Sequence, residues 1–177
     1  MARWPMYLVF LGGLIAASPT AAAAQYPQVR EGFWIGFGFG YGSLGLSDCE
    51  ECDREGGLSG FLKLGGTLSD NWLLGFESNS WIDEELETTV TVSASTATVY
   101  YYPSPAGGLH LKGGLGIGHL DVEDIGDETG LGFLLGVAHD FRVGRNISIV
   151  PGISFYVGDF DGGSTNVLHL GAGVTFH

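Results

Sequence analysis

Long stretches of this chain alternate by twos, and that period narrows the possible folds more than any other feature. From Phe33 to Ser43, Phe33, Ile35, Phe37, Phe39 and Tyr41 take every second place, with Gly36, Gly38, Gly40 and Gly42 between them. Successive strand side chains point to opposite faces of a sheet, so this period predicts a strand. Leu58, Leu62, Leu64 and Leu68 oppose Ser59, Phe61, Lys63 and Thr67 in a second such segment. Trp72, Leu74 and Phe76 oppose Leu73, Gly75, Glu77 and Asn79 in a third. The fourth, Thr89 to Tyr102, is rich in Thr, Val and Ser and has no clear preferred face. Leu109, Leu111, Leu115 and Ile117 form the apolar face of a fifth, opposite His110, Lys112, Gly114 and Gly116. Leu131, Phe133, Leu135, Val137 and Phe141 mark a sixth, against Gly132, Gly136, Ala138, Asp140 and Arg142. Ile147 to Val157 and Leu168 to Phe176 supply the seventh and eighth.

Eight segments of about 10 to 14 residues suit a bilayer, which a tilted strand crosses in about 9 to 11 residues. Soluble strands are shorter, about 5 or 6 residues. The less apolar face carries Gly, Ser, Thr and a few charges, whereas a soluble sandwich would dress its outer face with Lys and Glu. A small-residue face fits the interior of a narrow barrel, where there is room only for side chains. The expected fold is therefore all-β, an eight-stranded antiparallel up-and-down transmembrane β-barrel with its apolar face to lipid.

Charge separates the two ends. Sixteen of the twenty acidic residues fall in four clusters, Asp48–Glu55, Asp83–Glu87, Asp121–Glu128 and Asp159–Asp161. The connections at Ser69–Asn71, Pro103–Gly108 and Val143–Asn146 are short and turn-like. Acidic and short connections alternate along the chain, as expected when strand ends face different compartments. Aromatics near segment ends are expected as interfacial girdles. Phe33, Trp34, Trp72, Tyr100 to Tyr102, Phe141 and Phe176 would form one girdle, and Tyr41, Trp81 and Phe155 the other.

Arg3, the apolar run Met6 to Ala17 and the small residues Ala22-Ala23-Ala24 read as a secretory signal peptide over 1–24. The domain expected after it is 25–177. A net charge of −13 opposes nucleic-acid binding and favours divalent cations or basic partners. Cys49-Glu50-Glu51-Cys52 has redox or half-zinc spacing. It stands alone among acids that oppose a reactive thiolate, so a small disulfide closing the first acidic loop is the expectation. Gly36, Gly38 and Gly40 echo a dinucleotide fingerprint, but the strict period of two and the lack of a following helix dismiss it.

Lys63, Glu77, His110, Lys112, Asp140, Arg142 and His169 point inward by parity. Isolated charge is costly in a closed interior, so an ion-pair network through Lys63, Glu77, Lys112, Asp140 and Arg142 is expected. Lys63 with Glu77, and Asp140 with Arg142 or Lys112, are the expected pairs.

The pattern over Phe33 to Phe176 resembles the small eight-stranded outer-membrane barrels of the OmpA/OmpX type. The closing segment His169-Leu170-Gly171-Ala172-Gly173-Val174-Thr175-Phe176 looks like the C-terminal assembly signal of that class, with Gly171, Val174 and Phe176 at its key places. His177 follows, where the aromatic is usually last. The resemblance implies short periplasmic turns, acidic extracellular loops, assembly by the barrel-assembly machinery and residence in the cell outer membrane. Its implied partners are outer-membrane lipid and lipopolysaccharide, with divalent cations at the loops; a monomer without cofactor is expected. The expected role is structural or surface-interacting, without a large pore. A small channel is an alternative. So is a lipid A-modifying acyltransferase or deacylase, for which His119 with Asp121 would be the base and Ser78 or Ser80 the nucleophile. No His-x-Ser pair is present, and no catalytic or metal residue is assigned.

Overall fold

In the computed structural model, which describes residues 28–46, 54–85, 88–122, 126–160 and 163–177, the alternating segments become strands. They are β1 (Phe33–Leu46), β2 (Glu55–Ser69), β3 (Trp72–Glu85), β4 (Thr88–Tyr101), β5 (Leu109–Val122), β6 (Gly126–His139), β7 (Phe141–Arg142), β8 (Ile147–Phe160) and β9 (Gly163–Phe176). Each pairs antiparallel with its neighbours in the sheet, in the order β6-β5-β4-β3-β2-β1-β9-β8-β7, and β6 also pairs with β8. That last ladder closes the sheet and leaves no edge, so every strand's backbone is paired inside lipid. Two-residue β7 is the end of the sixth barrel strand beyond Asp140. Ala138 opposes Gly152 and Phe141 opposes Ile149 in one unbroken register, so eight strands form the barrel.

Pairing partners traced once around the wall define its stagger. Ile35 leads through Leu64, Phe76, Ala97, Leu115, Phe133, Val157 and Asn166 back to β1 at Gly45, ten positions further on. With a rise near 3.3 Å and a strand spacing near 4.8 Å, ten over eight strands sets a tilt of about 40°. The barrel is thus narrow but wide enough for large inward side chains.

The outward face is Phe33, Ile35, Phe37, Phe39 and Tyr41 on β1, with exposed Leu, Ile, Val and Phe on the other long strands except β4, whose outward residues are Thr91, Ser93, Ser95, Ala97 and Val99. The fourth strand takes the register that sequence left open: Val92, Ala94, Thr96, Thr98 and Tyr100 are buried in the lumen. The expected girdles need correction. Trp34, Trp81, Tyr100 and Tyr102 point inward and are at most 3% exposed, leaving Phe33, Trp72, Phe141 and Phe176 among the lipid-facing aromatics at the turn end. Their positions near strand ends were misleading, because parity alone decides the face.

Inward glycines make room for these large side chains. A Cβ at Gly65 or Gly75 would meet Trp34 at 2.7 or 2.8 Å, and one at Gly42 would meet Trp81 at 2.4 Å. Gly38 and Gly173 flank the tip of Phe61 in the same way. Small against large across the lumen is how a narrow barrel fills its interior.

Candidate functional site

The lumen is filled in layers from the turn end upward. Gly32, at φ 73°, turns residues 28–31 under the barrel mouth. Left-handed backbone of this kind favours glycine. Gln28 Nε2 donates to the Asp140 carbonyl at 2.9 Å, and Arg142 Nη2 donates to the Val29 carbonyl at 2.7 Å. Arg30 donates to the carbonyls of Pro105 (2.8 Å) and Gly107, and its guanidinium sits 3.6 Å over the Tyr102 ring. These contacts hold the segment as a strap across the turn-side opening.

Above it, the Tyr102 hydroxyl donates to Asp140 Oδ2 at 2.8 Å, and His110 Nδ1 lies 3.7 Å from Asp140 Oδ1. Trp34, Leu73 and Tyr100 pack alongside, with Trp34 edge-on to Tyr100 at 5.1 Å between centroids. The next layer centres on Glu77, which is fully buried and forms an ion pair with Lys112. The Tyr100 hydroxyl donates to Glu77 Oε2 at 2.6 Å. Toward the loops the lumen turns apolar, with Leu44, Trp81, Val92, Ala94, Leu134, Tyr156 and Val167 in one buried cluster. Trp81 is held there by donating Nε1 to the Gly42 carbonyl at 3.2 Å.

The five charged residues expected inside the barrel are all inside, but their partners differ from expectation. Lys63 and Glu77 are register partners, yet the carboxylate is taken by Lys112 from β5 and by Tyr100 from β4. Curvature of the wall points inward side chains at the axis, so residues from non-adjacent strands meet there. Lys63 instead lies 5.6 Å from the Tyr100 ring centroid and 5.9 Å from that of Trp34. Asp140 binds Tyr102 rather than Arg142 or Lys112, because Arg142 is drawn to the strap. Arg30 went unread in the sequence, and Tyr100 and Tyr102 were expected in the girdle rather than as partners of the buried carboxylates. Tyr100 and Tyr102 share the parity of Val92, and anchoring the fourth strand there would have turned them inward.

At the C-terminal segment, Phe176 faces outward and stacks on Phe37 with centroids 6.4 Å apart. Gly171 lies so near β1 that a Cβ would come 2.7 Å from the Phe39 carbonyl oxygen.

On the outer face, Ser80, Ser93, His119 and Thr129 form one row of register partners across β3 to β6. The structure therefore places Ser93 of the fourth strand beside His119, whereas Ser80 of the third lies one strand further away. His119 Nδ1 is 3.3 Å from Thr129 Oγ1, and the Ser95 hydroxyl donates to Ser78 Oγ at 3.4 Å. Neither contact joins a serine hydroxyl to the imidazole, so nucleophile and base are not engaged. At the rim, Arg54 donates to Ser43 Oγ (3.0 Å) and Asn166 Oδ1 (2.7 Å), tying the chain before β2 to β1 and β9. Among the described residues no group of three or more metal-ligating side chains converges. Cys49, Cys52 and segment 1–24 lie outside the described residues.

A closed eight-stranded barrel with a lipid-facing apolar belt and a filled lumen defines an outer-membrane β-barrel. The chain belongs to the family described as outer membrane protein beta-barrel domain, whose sequence profile matches residues 9–176. It resides in the cell outer membrane. Among solved structures it is similar to Ail, the attachment invasion locus protein of Yersinia pestis, at 16% identity and TM-score 0.62, over 84% of this chain and 100% of that one. It is also similar to Neisserial surface protein A, at 17% identity and TM-score 0.63, over 84% and 98%. A second Ail structure, in complex with the heparin analogue sucrose octasulfate, matches at 18% identity and TM-score 0.61, over 84% and 100%. At such identities the likeness establishes the fold alone. No curated protein sequence matches the chain.

Proposed function

We propose that this barrel is a non-enzymatic surface-interaction protein whose acidic rim gathers divalent cations and, through them, the phosphates of neighbouring lipopolysaccharide. The observation that carries this is the sorting of charge: Glu55, Asp83, Asp121, Asp127, Glu128 and Asp159 all lie at the loop end of the strands. Carboxylate oxygens suit calcium and magnesium. Without a convergent ligand cluster among the described residues, the reading is a diffuse cation layer, not a single site. The sucrose octasulfate complex of Ail belongs to that protein; a net charge of −13 argues against direct polyanion binding here. The layered interior supports a barrel that does not conduct.

The same reading includes cleavage after Ala24, a Cys49–Cys52 disulfide, recognition of Gly171, Val174 and Phe176 by the assembly machinery, and a monomer. The lipid A-modifying alternative has the Ser93–His119 juxtaposition in its favour, but no serine hydroxyl engages the imidazole. The test is binding of the folded barrel to vesicles with and without lipopolysaccharide, across a magnesium titration. Magnesium-dependent retention only on lipopolysaccharide, weakened by Asp121→Asn with Asp127→Asn, is expected. Equal retention on both vesicles at all magnesium levels would reject the reading.

A further inference from the structure

We propose that the lumen holds a site for a single monoatomic anion of the halide class, seated between Lys63, Lys112, His110 and His169. A cavity of about 20 Å³ lies in the barrel interior, lined by these four side chains together with Phe61 and Ser154. That is room for one water-sized particle, and too little for an oxyanion such as sulfate. Among the described residues every ionisable group on its wall is basic, and no carboxylate lines it.

Two observations point to a ligand rather than to ordinary packing. Lys63 is 5% exposed and feels the charges of Asp140 and Glu77, but among the described residues no carboxylate forms a direct ion pair with it; Glu77 is held by Lys112. The two ring nitrogens of His169 and Nε2 of His110 are buried without a hydrogen-bond partner, in residues only 2% and 1% exposed. Glycines on three strands make room for the side chains that reach the cavity. A Cβ at Gly36 would come 2.8 Å from Lys63 Cε, one at Gly136 would come 2.7 Å from Lys112 Cε, and one at Gly171 would come 2.6 Å from His169 Nε2. Ser154, the register partner of His169, adds a hydroxyl donor on the same wall.

The charge balance selects an anion over water. Among the buried side chains in the turn-side half of the lumen, Arg30, Lys63, Lys112 and Arg142 face Glu77 and Asp140, an excess of two positive charges; the carboxylates of Glu31 and Asp70 lie outside it, exposed beside Arg30 at the strap. An unpaired ammonium inside a barrel wall is costly. A water molecule can accept its hydrogen bonds but leaves the charge; a halide accepts them and neutralises it. The inference concerns the lumen and is independent of what the loops bind.

The experiment uses the refolded full-length barrel in detergent, melted in sodium chloride, sodium bromide and sodium gluconate at equal ionic strength. A higher melting temperature in both halides than in gluconate is expected, and Lys63→Met, which keeps the stem and removes the charge, should abolish the difference. Equal melting in all three salts, or a halide effect that Lys63→Met retains, would overturn the site. Anomalous diffraction from bromide-soaked crystals of the unaltered protein gives a second reading that does not depend on the variant folding. A bromide peak beside Lys63 and His169 supports the proposal; a cavity without one rejects it.

Discussion

Glu77 is the residue on which the interior charge turns. It is fully buried, and it compensates Lys112 while accepting from Tyr100. Removing one partner of a buried pair leaves an uncompensated charge, whereas replacing both by apolar groups of similar volume is often neutral. Glu77→Gln should therefore lose about 3–5 kcal/mol of unfolding free energy. The double variant Glu77→Gln with Lys112→Met should recover much of that loss. Urea unfolding of the folded barrel, read by tryptophan fluorescence, checks both; additive losses would show that the two residues do not act as a pair. At this scale membership was legible in the sequence and partnership was not. Parity put Lys63, Glu77, Lys112, Asp140 and Arg142 inside, because strand side chains have only two directions to take. Which of them touch depends on curvature across the lumen, and that brought Lys112 and Tyr100 to Glu77 ahead of its register neighbour Lys63.

Among the strands, inward and outward glycines have different work. At Gly40, an inward position, a Cβ would fall 2.2 Å from the Leu170 carbonyl oxygen and 2.4 Å from the Gly171 Cα, both backbone atoms of β9. At Gly60, an outward position, the nearest atom is 3.4 Å away. Gly40→Ala should thus cost about 1–3 kcal/mol by overpacking and lower folding yield. Gly60→Ala should stay within about 0.5 kcal/mol of the parent. Folding yields from urea into detergent, measured side by side, test the contrast; equal yields would mean the β1–β9 seam relaxes freely. Strand positions were legible from period alone. The inward tryptophans were also legible in principle, since Trp34 shares the parity of Gly36 and Trp81 that of Glu77. Proximity to strand ends competed with parity and pointed the wrong way.

The molecule as a whole is closed at its turn end by a segment that no periodic signal marks. Residues 28–31 have neither alternation nor an apolar face, and their place depends on the Arg30–Tyr102 stack and on carbonyls of the turn after β4. Arg30→Ala should free the strap while leaving the wall intact. Faster hydrogen exchange is then expected at the Thr67 amide, which donates to the Gly32 carbonyl at 3.0 Å, with unchanged exchange in mid-barrel strands. Unchanged exchange at Thr67 would mean that Gly32 and the remaining contacts suffice. The barrel itself was determined by the sequence. Eight long strand segments, seven of them with one apolar face, can satisfy their backbone in lipid only by closing on themselves. What only the tertiary structure decided was everything that requires side chains from non-adjacent strands to meet. The ten-residue stagger, the Glu77–Lys112 pair, the basic cavity and the strap all belong to that group. Period-two alternation fixes which face a side chain takes; stagger and curvature fix what it finds there.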